Sequence, residues 1–246
     1  MKNILIIGAT SAIAQACAQA WAQQGHQLIL VGRSQSKLEA VRDDLRSRST
    51  SNIALLIQDL ADQDAGENVL QACKAQWQQI DYVLVAHGTL PDQARCEQDL
   101  DYALQEFNTN GLSVIALLTA LAKQMETQRH GIIGVISSVA GDRGRGSNYL
   151  YGAAKGAVST FCSGLRARLS KVNVHVLTIK PGFVATPMTA GLPLPEKLTA
   201  TADAVARDII KGFEKKRNVL YTPFFWLPIM LIIKMIPEFI FKKLSI

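Results

Sequence analysis

Three side chains in the second half of the sequence could move a proton to or from an oxygen atom. Tyr151 and Lys155 are four residues apart, and Ser138 lies thirteen residues before the tyrosine. Residues four apart share one face of a helix, so a helix that begins near Tyr151 would bring the two together. An ammonium beside a phenol favours the phenolate, so we expect the tyrosine pKa to fall from about 10 toward neutral. Tyr151 could then exchange a proton with a carbonyl or alcohol oxygen held by Ser138.

The position of these residues separates them from an ordinary exposed Tyr-x-x-x-Lys pair, which is the alternative interpretation. Ser138 follows the apolar run Ile132–Ile136, which has glycines around it. Such a run is typical of a buried parallel strand, and functional groups gather at the carboxyl ends of such strands. The pattern therefore favours a reaction site over a solvated helix face.

Alternating apolar runs and helical patterns predict the elements that position this site. The predicted strands are Ile4–Ile7, Gln27–Val31, Ile53–Ile57, Tyr82–Val85, Ile132–Ile136, Val174–Ile179 and Val219–Tyr221. The predicted helices cover residues 12–24, 35–47, 63–79, 99–128, 149–170 and 200–215. This alternation predicts an α/β fold with a doubly wound, Rossmann-like parallel sheet and helices on both faces. Its ligand crevice should lie above the first and fourth strands, where the strand order reverses.

Composition limits the class of protein. The chain has 246 residues, of which 48% are hydrophobic and 19% charged, as expected for one α/β domain. We assign residues 1–222 to a catalytic domain and 223–246 to an apolar extension. The four cysteines have no metal-ligand spacing, so we expect reduced thiols and no metal site. A strand predicted directly after Lys2 leaves no room for a signal peptide, so we expect a cytoplasmic protein.

A formal net charge of +6 indicates an anionic partner. A phosphate-bearing cofactor and an acidic membrane surface are both suitable. Basic and aromatic residues are not interleaved as they are in proteins that stack nucleic-acid bases, which excludes nucleic acid as the expected partner.

The turn after the first predicted strand has the position of a dinucleotide-binding turn. It runs Gly8-Ala9-Thr10-Ser11-Ala12-Ile13-Ala14 and opens a predicted helix whose first amides could meet a pyrophosphate. Alanine occupies two of the three glycine positions. Judged alone, an ordinary strand-to-helix turn is an equal alternative.

The end of the second strand favours NADP(H) over NAD(H). An acidic residue there would bind the ribose hydroxyls of NAD, whereas an arginine accommodates the 2′-phosphate of NADP. The sequence has Arg33 followed by Ser34, with Lys37 nearby. The alternative is a solvated helix start, but cations oppose the helix dipole at that end.

Two further strand ends are placed to contact the adenosine half of such a cofactor. Asp59 and Leu60 follow the third strand and could bind the adenine amino group. The segment Ala86-His87-Gly88 ends the fourth strand, where its backbone could touch the adenine ribose. We assign His87 no chemical role, because a single histidine is more often a packed, hydrogen-bonded residue.

These segments together resemble the short-chain dehydrogenase/reductase family over roughly residues 3–190. The matching pieces, in order, are Gly8-x-x-x-Ala12-x-Ala14, Asp59-Leu60, Ala86-His87-Gly88, Asn108-x-x-Gly111, Ile136-Ser137-Ser138, Tyr151-x-x-x-Lys155 and Pro181-Gly182-x-x-x-Thr186. The chain departs from the family in its glycine-poor first turn and in Val85-Ala86, where an asparagine pair is usual. Both departures affect the cofactor-binding backbone.

The resemblance implies a role for each matching residue. Tyr151 is the acid/base, Ser138 polarises the substrate oxygen, and Lys155 lowers the phenol pKa and binds the nicotinamide ribose. Asn108 holds a water of the proton relay, with Asn110 as a competing candidate. Four residues border the nicotinamide: Pro181, Gly182, Val184 and Thr186. The family also implies a homodimer or homotetramer.

Within the family, one branch is especially similar. The segment from Ser137 to Tyr149 and the segment Pro181–Thr189 resemble reductases that act on decaprenyl-phosphoryl 2-keto-pentose. That resemblance implies a lipid-linked keto-sugar as substrate. Arg143 and Arg145, between Ser138 and Tyr151, could bind its phosphate. Alternatively they pair with Asp142 or are solvated.

The C-terminal extension departs from the usual family pattern. No formal charge occurs over the fifteen residues from Val219 to Ile233. A helix that crosses the hydrocarbon core of a bilayer needs around 20 residues, and prolines interrupt this stretch. We therefore expect it to lie in the membrane interface, with Trp226 near the headgroups and the terminal lysines facing acidic lipid. The alternative is packing on a neighbouring subunit or on the domain core.

The sequence thus predicts an NADP(H)-dependent oxidoreductase that reduces a carbonyl to an alcohol, on a lipid-linked phosphorylated keto-sugar or another amphipathic ketone. It would be peripheral on the inner face of the cytoplasmic membrane. One alternative is a soluble 3-oxoacyl or small-ketone reductase. Another is a non-catalytic, membrane-associated nucleotide sensor, which would have no need of Ser138, Tyr151 and Lys155 together.

Overall fold

A computed structural model of the protein describes residues 1–244. Seven parallel strands form one sheet in the order β3-β2-β1-β4-β5-β6-β9. Their bounds are β1 Asn3–Ile7, β2 Gln27–Gly32, β3 Ile53–Ile57, β4 Tyr82–Val85, β5 Ile132–Ile136, β6 His175–Pro181 and β9 Val219–Thr222. The strand order reverses between β1 and β4, so the predicted doubly wound sheet and its crevice are confirmed.

Helices cover both faces of this sheet. They are α1 Ala12–Gln23, α2 Gln35–Arg48, α3 Ala65–Gln76, α4 Gln93–Gln98, α5 Leu100–Phe107, α6 Ser113–Gln128, α7 Tyr149–Leu169 and α8 Ala202–Glu214. Side chains alternate along each strand, so Ile4 and Ile6 of β1 pack with α1, α2 and α8. Leu5 and Ile7 face the opposite way and pack with α3, α6 and α7. Both faces are therefore apolar, which explains the continuous apolar strands of the sequence.

The prediction of one continuous helix over residues 99–128 is wrong in the middle of that range. A π-helical segment, Asn108–Leu112, separates α5 from α6. Within this segment the Asn110 side-chain Nδ2 donates to the Glu106 backbone carbonyl at 3.0 Å, a bond that competes with the helix's own hydrogen bonds. The sequence also gave no indication of α4, or of the small parallel pair β7 (Phe183–Ala185) and β8 (Thr199–Thr201).

The C-terminal segment packs on the domain through two short helices, α9 (Trp226–Met235) and α10 (Glu238–Phe241). Trp226 is only 3% exposed, so its predicted place near lipid headgroups is wrong. The indole covers Gly182, where an added methyl group would lie 1.9 Å from Trp226 Nε1. Within residues 1–244, every helix is too short or too polar to cross a bilayer. The last two residues of the predicted extension, 223–246, lie outside the described residues.

Candidate active site

Strand β5 and helix α7 hold the three predicted catalytic side chains at one edge of the sheet. Ser138 lies two residues beyond the end of β5, and Tyr151 and Lys155 occupy the first two turns of α7. Ser137 fixes the strand end to the helix. Its Oγ donates to the Lys155 backbone carbonyl at 2.9 Å and lies 2.8 Å from Ser159 Oγ. The register between strand and helix is therefore set by buried hydrogen bonds.

The three side chains converge as the spacing predicted. The Ser138 hydroxyl lies near enough to the Tyr151 phenol to lower its pKa, and Ser138 Oγ accepts from the Ala140 amide at 3.1 Å. Lys155 Nζ lies 5.6 Å from the centre of the Tyr151 ring and donates to the Ile136 carbonyl at 3.4 Å. This arrangement can bind a substrate oxygen with two hydroxyl groups while a cation lies behind the phenol.

Burial shifts the pKa of both titratable groups, in opposite directions. Desolvation raises the pKa of Tyr151 to about 12, and the Ser138 hydrogen bond opposes this. Desolvation lowers the pKa of Lys155 to about 8. The expected lowering of the tyrosine pKa is wrong, because the cost of removing a phenolate from water exceeds the stabilisation that Ser138 gives it. Tyr151 is thus a protonated phenol at neutral pH, the form that donates a proton.

Asn110, not Asn108, is the asparagine beside Lys155. A methyl group added at Gly88 would lie 2.8 Å from Asn110 Oδ1 and 3.3 Å from Lys155 Nζ, so both side chains approach the same point. Asn110 is 1% exposed, and its Oδ1 accepts from the Thr89 amide at 3.0 Å. Asn108 also borders the cavity but is only half-buried. Asn110 therefore replaces Asn108 as the relay candidate.

One cavity of about 560 Å³ joins the catalytic side chains to the predicted cofactor turn. Such a volume is within the range of ligand sites. It is lined by every predicted site residue except Ser34, namely Gly8, Thr10, Ser11, Ala12, Ile13, Arg33, Asp59, Leu60, Ala86, His87, Gly88, Asn108, Ser138, Tyr151, Lys155, Pro181, Gly182, Val184 and Thr186. Ser34 instead caps α2, where its Oγ accepts from the Lys37 amide.

The β1 end of the cavity fits a dinucleotide. Gly8 has a φ of +75° and packs so closely on the His87 backbone that a methyl group would lie 2.5 Å from the His87 nitrogen. Ala12 and Ile13 border the cavity at the start of α1, where helix amides have no acceptor in their own helix. Although the turn has few glycines, its backbone therefore remains accessible to phosphate.

The cavity next to this turn carries the groups expected for the adenosine half of the cofactor. Arg33 is exposed at the end of β2 and borders the cavity. Asp59 borders it after β3, and its Oδ1 accepts from the Ala61 amide at 3.0 Å. A guanidinium at the cavity rim is suited to a 2′-phosphate.

His87 is a structural residue of this region. Its Nε2 lies 3.1 Å from Ser113 Oγ, and burial together with the Lys155 charge lowers its pKa to about 3. The ring is neutral at pH 7 and does not titrate there, so it is not a general acid or base.

Arg143 and Arg145, which had the same predicted role, have different surroundings in the structure. Arg143 turns away from the cavity, and its guanidinium donates to the carbonyls of Ile233 and Ile236 at 2.5 and 2.6 Å. Arg143 also does not pair with Asp142, which was the alternative to phosphate binding, because Lys180 and the Tyr221 hydroxyl bind that carboxylate. Arg145, in contrast, borders the cavity.

Sequence reasoning missed the apolar wall at the substrate end of the cavity. Phe183, Met188, Leu192 and Leu194 line it. They lie in an irregular connection between β6 and α8 that has no periodic pattern, so the one available signal was the cluster of apolar residues after Pro181-Gly182. This wall can cover an apolar part of a substrate.

Known proteins resemble the chain in sequence and fold. The family model for short chain dehydrogenases matches residues 2–197. An uncharacterized oxidoreductase of Mycobacterium tuberculosis is 31% identical over 241 residues, which cover 98% of this chain and 96% of that protein. An NADP-dependent 3-hydroxy acid dehydrogenase of Shigella flexneri is 29% identical over 185 residues, 74% of this chain and 72% of that protein.

The fold comparison agrees with the sequence comparison. A short-chain dehydrogenase from Sphingobium yanoikuyae, solved in complex with NADPH, has a TM-score of 0.83, is 23% identical, and each chain covers 97% of the other. At that identity the likeness establishes the fold alone, whereas the family match covers most of the chain. The chain belongs to the short-chain dehydrogenase family of oxidoreductases.

Proposed function

We propose that the protein transfers a hydride between NADP(H) and a carbonyl or alcohol carbon, with reduction to the alcohol as the favoured direction. The observation that carries this proposal is the convergence of Ser138, Tyr151 and Lys155 on a cavity that also borders the β1 turn. The nicotinamide, when bound, supplies the hydride. Tyr151 donates its proton to the carbonyl oxygen, and Ser138 holds that oxygen by a hydrogen bond.

Two relatives support NADP(H) as the cofactor. One is named as an NADP-dependent 3-hydroxy acid dehydrogenase, and one structure of the same fold was solved with NADPH. In this chain Arg33 is suited to bind the 2′-phosphate. The turn from Gly8 to Ile13 is suited to bind the pyrophosphate, and Lys155 is suited to bind the nicotinamide ribose.

Replacing Tyr151 by phenylalanine tests the chemistry. Tyr151→Phe removes the proton donor, so the rate of ketone-dependent NADPH oxidation should fall by roughly 100- to 10,000-fold. NADPH binding, measured by fluorescence titration, should remain. Tyr149→Phe is the matched control, because that hydroxyl lies at the surface against Glu97 and its loss should not change turnover. Undiminished turnover by Tyr151→Phe would reject the proposed role.

Reversing the charge at Arg33 tests the cofactor. Arg33→Asp removes a charged hydrogen-bond donor from the 2′-phosphate, so the preference for NADPH over NADH, as a ratio of kcat/KM, should fall by roughly 10- to 100-fold. Arg48→Asp makes the same change at the far end of α2 and should leave the ratio unchanged. If Arg33→Asp also leaves the ratio unchanged, the cofactor assignment fails.

We further propose that the substrate is amphipathic and is taken from a membrane surface. The supporting observation is the exposed apolar face of the C-terminal segment, which consists of Phe224, Leu227, Leu231, Ile232, Met235, Phe239, Ile240 and Leu244. The exposed cations Lys234, Lys242 and Lys243 lie in the same segment. Together they suit an interface with acidic lipid, and the resemblance to reductases of lipid-linked keto-sugars agrees.

Two other functions remain as competing hypotheses. A soluble 3-oxoacyl or small-ketone reductase would show turnover without membrane binding. A nucleotide sensor would bind NADPH without hydride transfer to any ketone. We also propose a homodimer or homotetramer, and a cytoplasmic protein held peripherally at the inner face of the membrane. Sedimentation of the purified protein gives its assembly state directly.

A further inference from the structure

Arg145 is a partly buried cation that no other group neutralises. Its side chain borders the cavity, and its Nε is buried without a hydrogen-bond acceptor. No carboxylate among residues 1–244 forms an ion pair with it, whereas the neighbouring Arg143 pairs with Glu238 and binds two backbone carbonyls. The two arginines of the loop therefore differ in kind: one is a structural anchor and the other is unpartnered.

The surroundings of Arg145 leave its charge uncompensated. The guanidinium is partly buried, which lowers its pKa, yet an arginine keeps its charge at any physiological pH. Within the described part of the chain, Asp59 is the one acidic side chain that lines the cavity, in the adenosine half, while Arg33 and Lys155 add positive charge. A desolvated charge of this kind is stabilised by an anion that brings its own hydrogen-bond acceptors.

Arg145 belongs to the substrate half of the cavity. It lies in the connection between Ser138 and Tyr151, after β5, which is two strands away from β1 and its dinucleotide turn. The Arg145 carbonyl accepts from the Asn148 amide at 3.1 Å, and the Asn148 carbonyl accepts from the Gly152 amide at 2.9 Å. These bonds join the arginine turn to the first turn of α7, which carries Tyr151.

Asn148 supplies a second unsatisfied group at this place. It also borders the cavity, and its Oδ1 is buried without a donor. Because Arg145 and Asn148 belong to one turn that borders the cavity, their orphaned donor and acceptor match a ligand that has an oxyanion and a hydroxyl group close together.

We propose that Arg145 is a specificity-determining residue that binds a carboxylate or phosphate group of the ketone substrate, and that Asn148 accepts a hydrogen bond from a hydroxyl of the same molecule. This inference rests on the proposed carbonyl reduction. It adds that the enzyme distinguishes ketones by a negative charge, which anchors the substrate at the Tyr151 end of the cavity.

Matched ketone pairs test this inference. Dihydroxyacetone phosphate against dihydroxyacetone varies a phosphate, and acetoacetate against its methyl ester varies a carboxylate. For Arg145→Met, kcat/KM for one or both anionic members should fall roughly 10- to 100-fold further than for the neutral partners, mostly through KM. The pair that responds identifies which anion is bound. Arg145→Lys should restore part of the difference, and Arg48→Met, a surface change, should lose none of it.

Equal losses for the anionic and neutral members in Arg145→Met would overturn the inference. If the protein turned over no ketone, that result would instead overturn the proposed function. The inference about Arg145 could then still be tested by measuring binding. Calorimetric titration of glycerol phosphate and of glycerol into the wild type and Arg145→Met, with NADP⁺ present, should show phosphate-dependent binding that the variant loses. Circular dichroism and the melting temperature establish that the variant is folded.

Discussion

Lys155 is the residue that should set the pH dependence of the reaction. Its pKa is lowered to about 8 by burial, while that of Tyr151 is raised to about 12. Each proton that Tyr151 gives to a carbonyl oxygen leaves a phenolate, and the positive charge of Lys155 stabilises that phenolate. As the pH rises through 8 the lysine loses its charge, so the rate of reduction should fall, by roughly tenfold for each pH unit above that value.

The pH profile of kcat/KM, measured from NADPH absorbance between about pH 6 and 10, should therefore descend above pH 8 in the wild type. Lys155→Arg keeps the positive charge across this range, since an arginine does not lose its proton in proteins. Its activity should be lower, but the descending limb should disappear or move to higher pH. An identical descending limb in both proteins would mean that the titrating group is not Lys155.

The catalytic side chains were predictable from sequence, whereas their proton affinities were not. The four-residue spacing of Tyr151 and Lys155 predicts that they share a helix face, because this geometry follows from the helix period alone. The direction of the tyrosine pKa shift depends on how completely the folded chain removes the phenol from water. That burial comes from residues distant in sequence, so spacing could not reveal it.

Among the structural elements, the strands were predictable from the local sequence, whereas the π-helical segment was not. β4 and β5 have the bounds that their apolar runs predicted, because a strand buried on both faces leaves a local mark in the sequence. The break at Asn108–Leu112 has no such mark. It depends on Asn110, whose side chain is held by Thr89, twenty-one residues away. A tertiary contact thus changes the path of a helix that is regular by its local pattern.

This break has a consequence for the site. A π segment widens one turn, and here it is the turn that carries Asn110 toward Gly88 and Lys155. The choice between Asn108 and Asn110, which the sequence left open, is decided by this approach of Asn110 to Gly88 and Lys155.

The whole molecule places its exposed apolar face beside the active site. Trp226 packs on Phe183, with ring centres 5.2 Å apart, and Phe183 lines the cavity. Arg143, in the loop that follows Ser138, binds the carbonyl of Ile236 and lies 3.7 Å from the centre of the Phe241 ring. Trp226 and Arg143 thus fix the segment to the substrate end of the cavity, although the sequence pattern predicted a place near lipid for Trp226 and near a substrate phosphate for Arg143.

Because Trp226 and Met230 are buried anchors, the residues that should enter a lipid interface are those on the opposite side of α9. Ile232 is 65% exposed and Met235 is 81% exposed, so replacing both by glutamine leaves the packed side intact. The double variant Ile232→Gln/Met235→Gln should bind vesicles that contain acidic lipid at least about tenfold more weakly than the wild type, since each side chain contributes apolar burial in the interface. Its hydride transfer to a soluble ketone should be unchanged.

Flotation of the full-length protein with acidic and with neutral vesicles measures this binding, and added salt should weaken it through Lys234, Lys242 and Lys243. Leu104→Gln is the matched control, because Leu104 is an exposed apolar residue of α5, outside the C-terminal segment. A wild type that does not float, or a double variant that floats equally well, would contradict membrane docking. If the double variant instead changed the sedimenting mass without changing flotation, the face would be covered by a second copy of the chain.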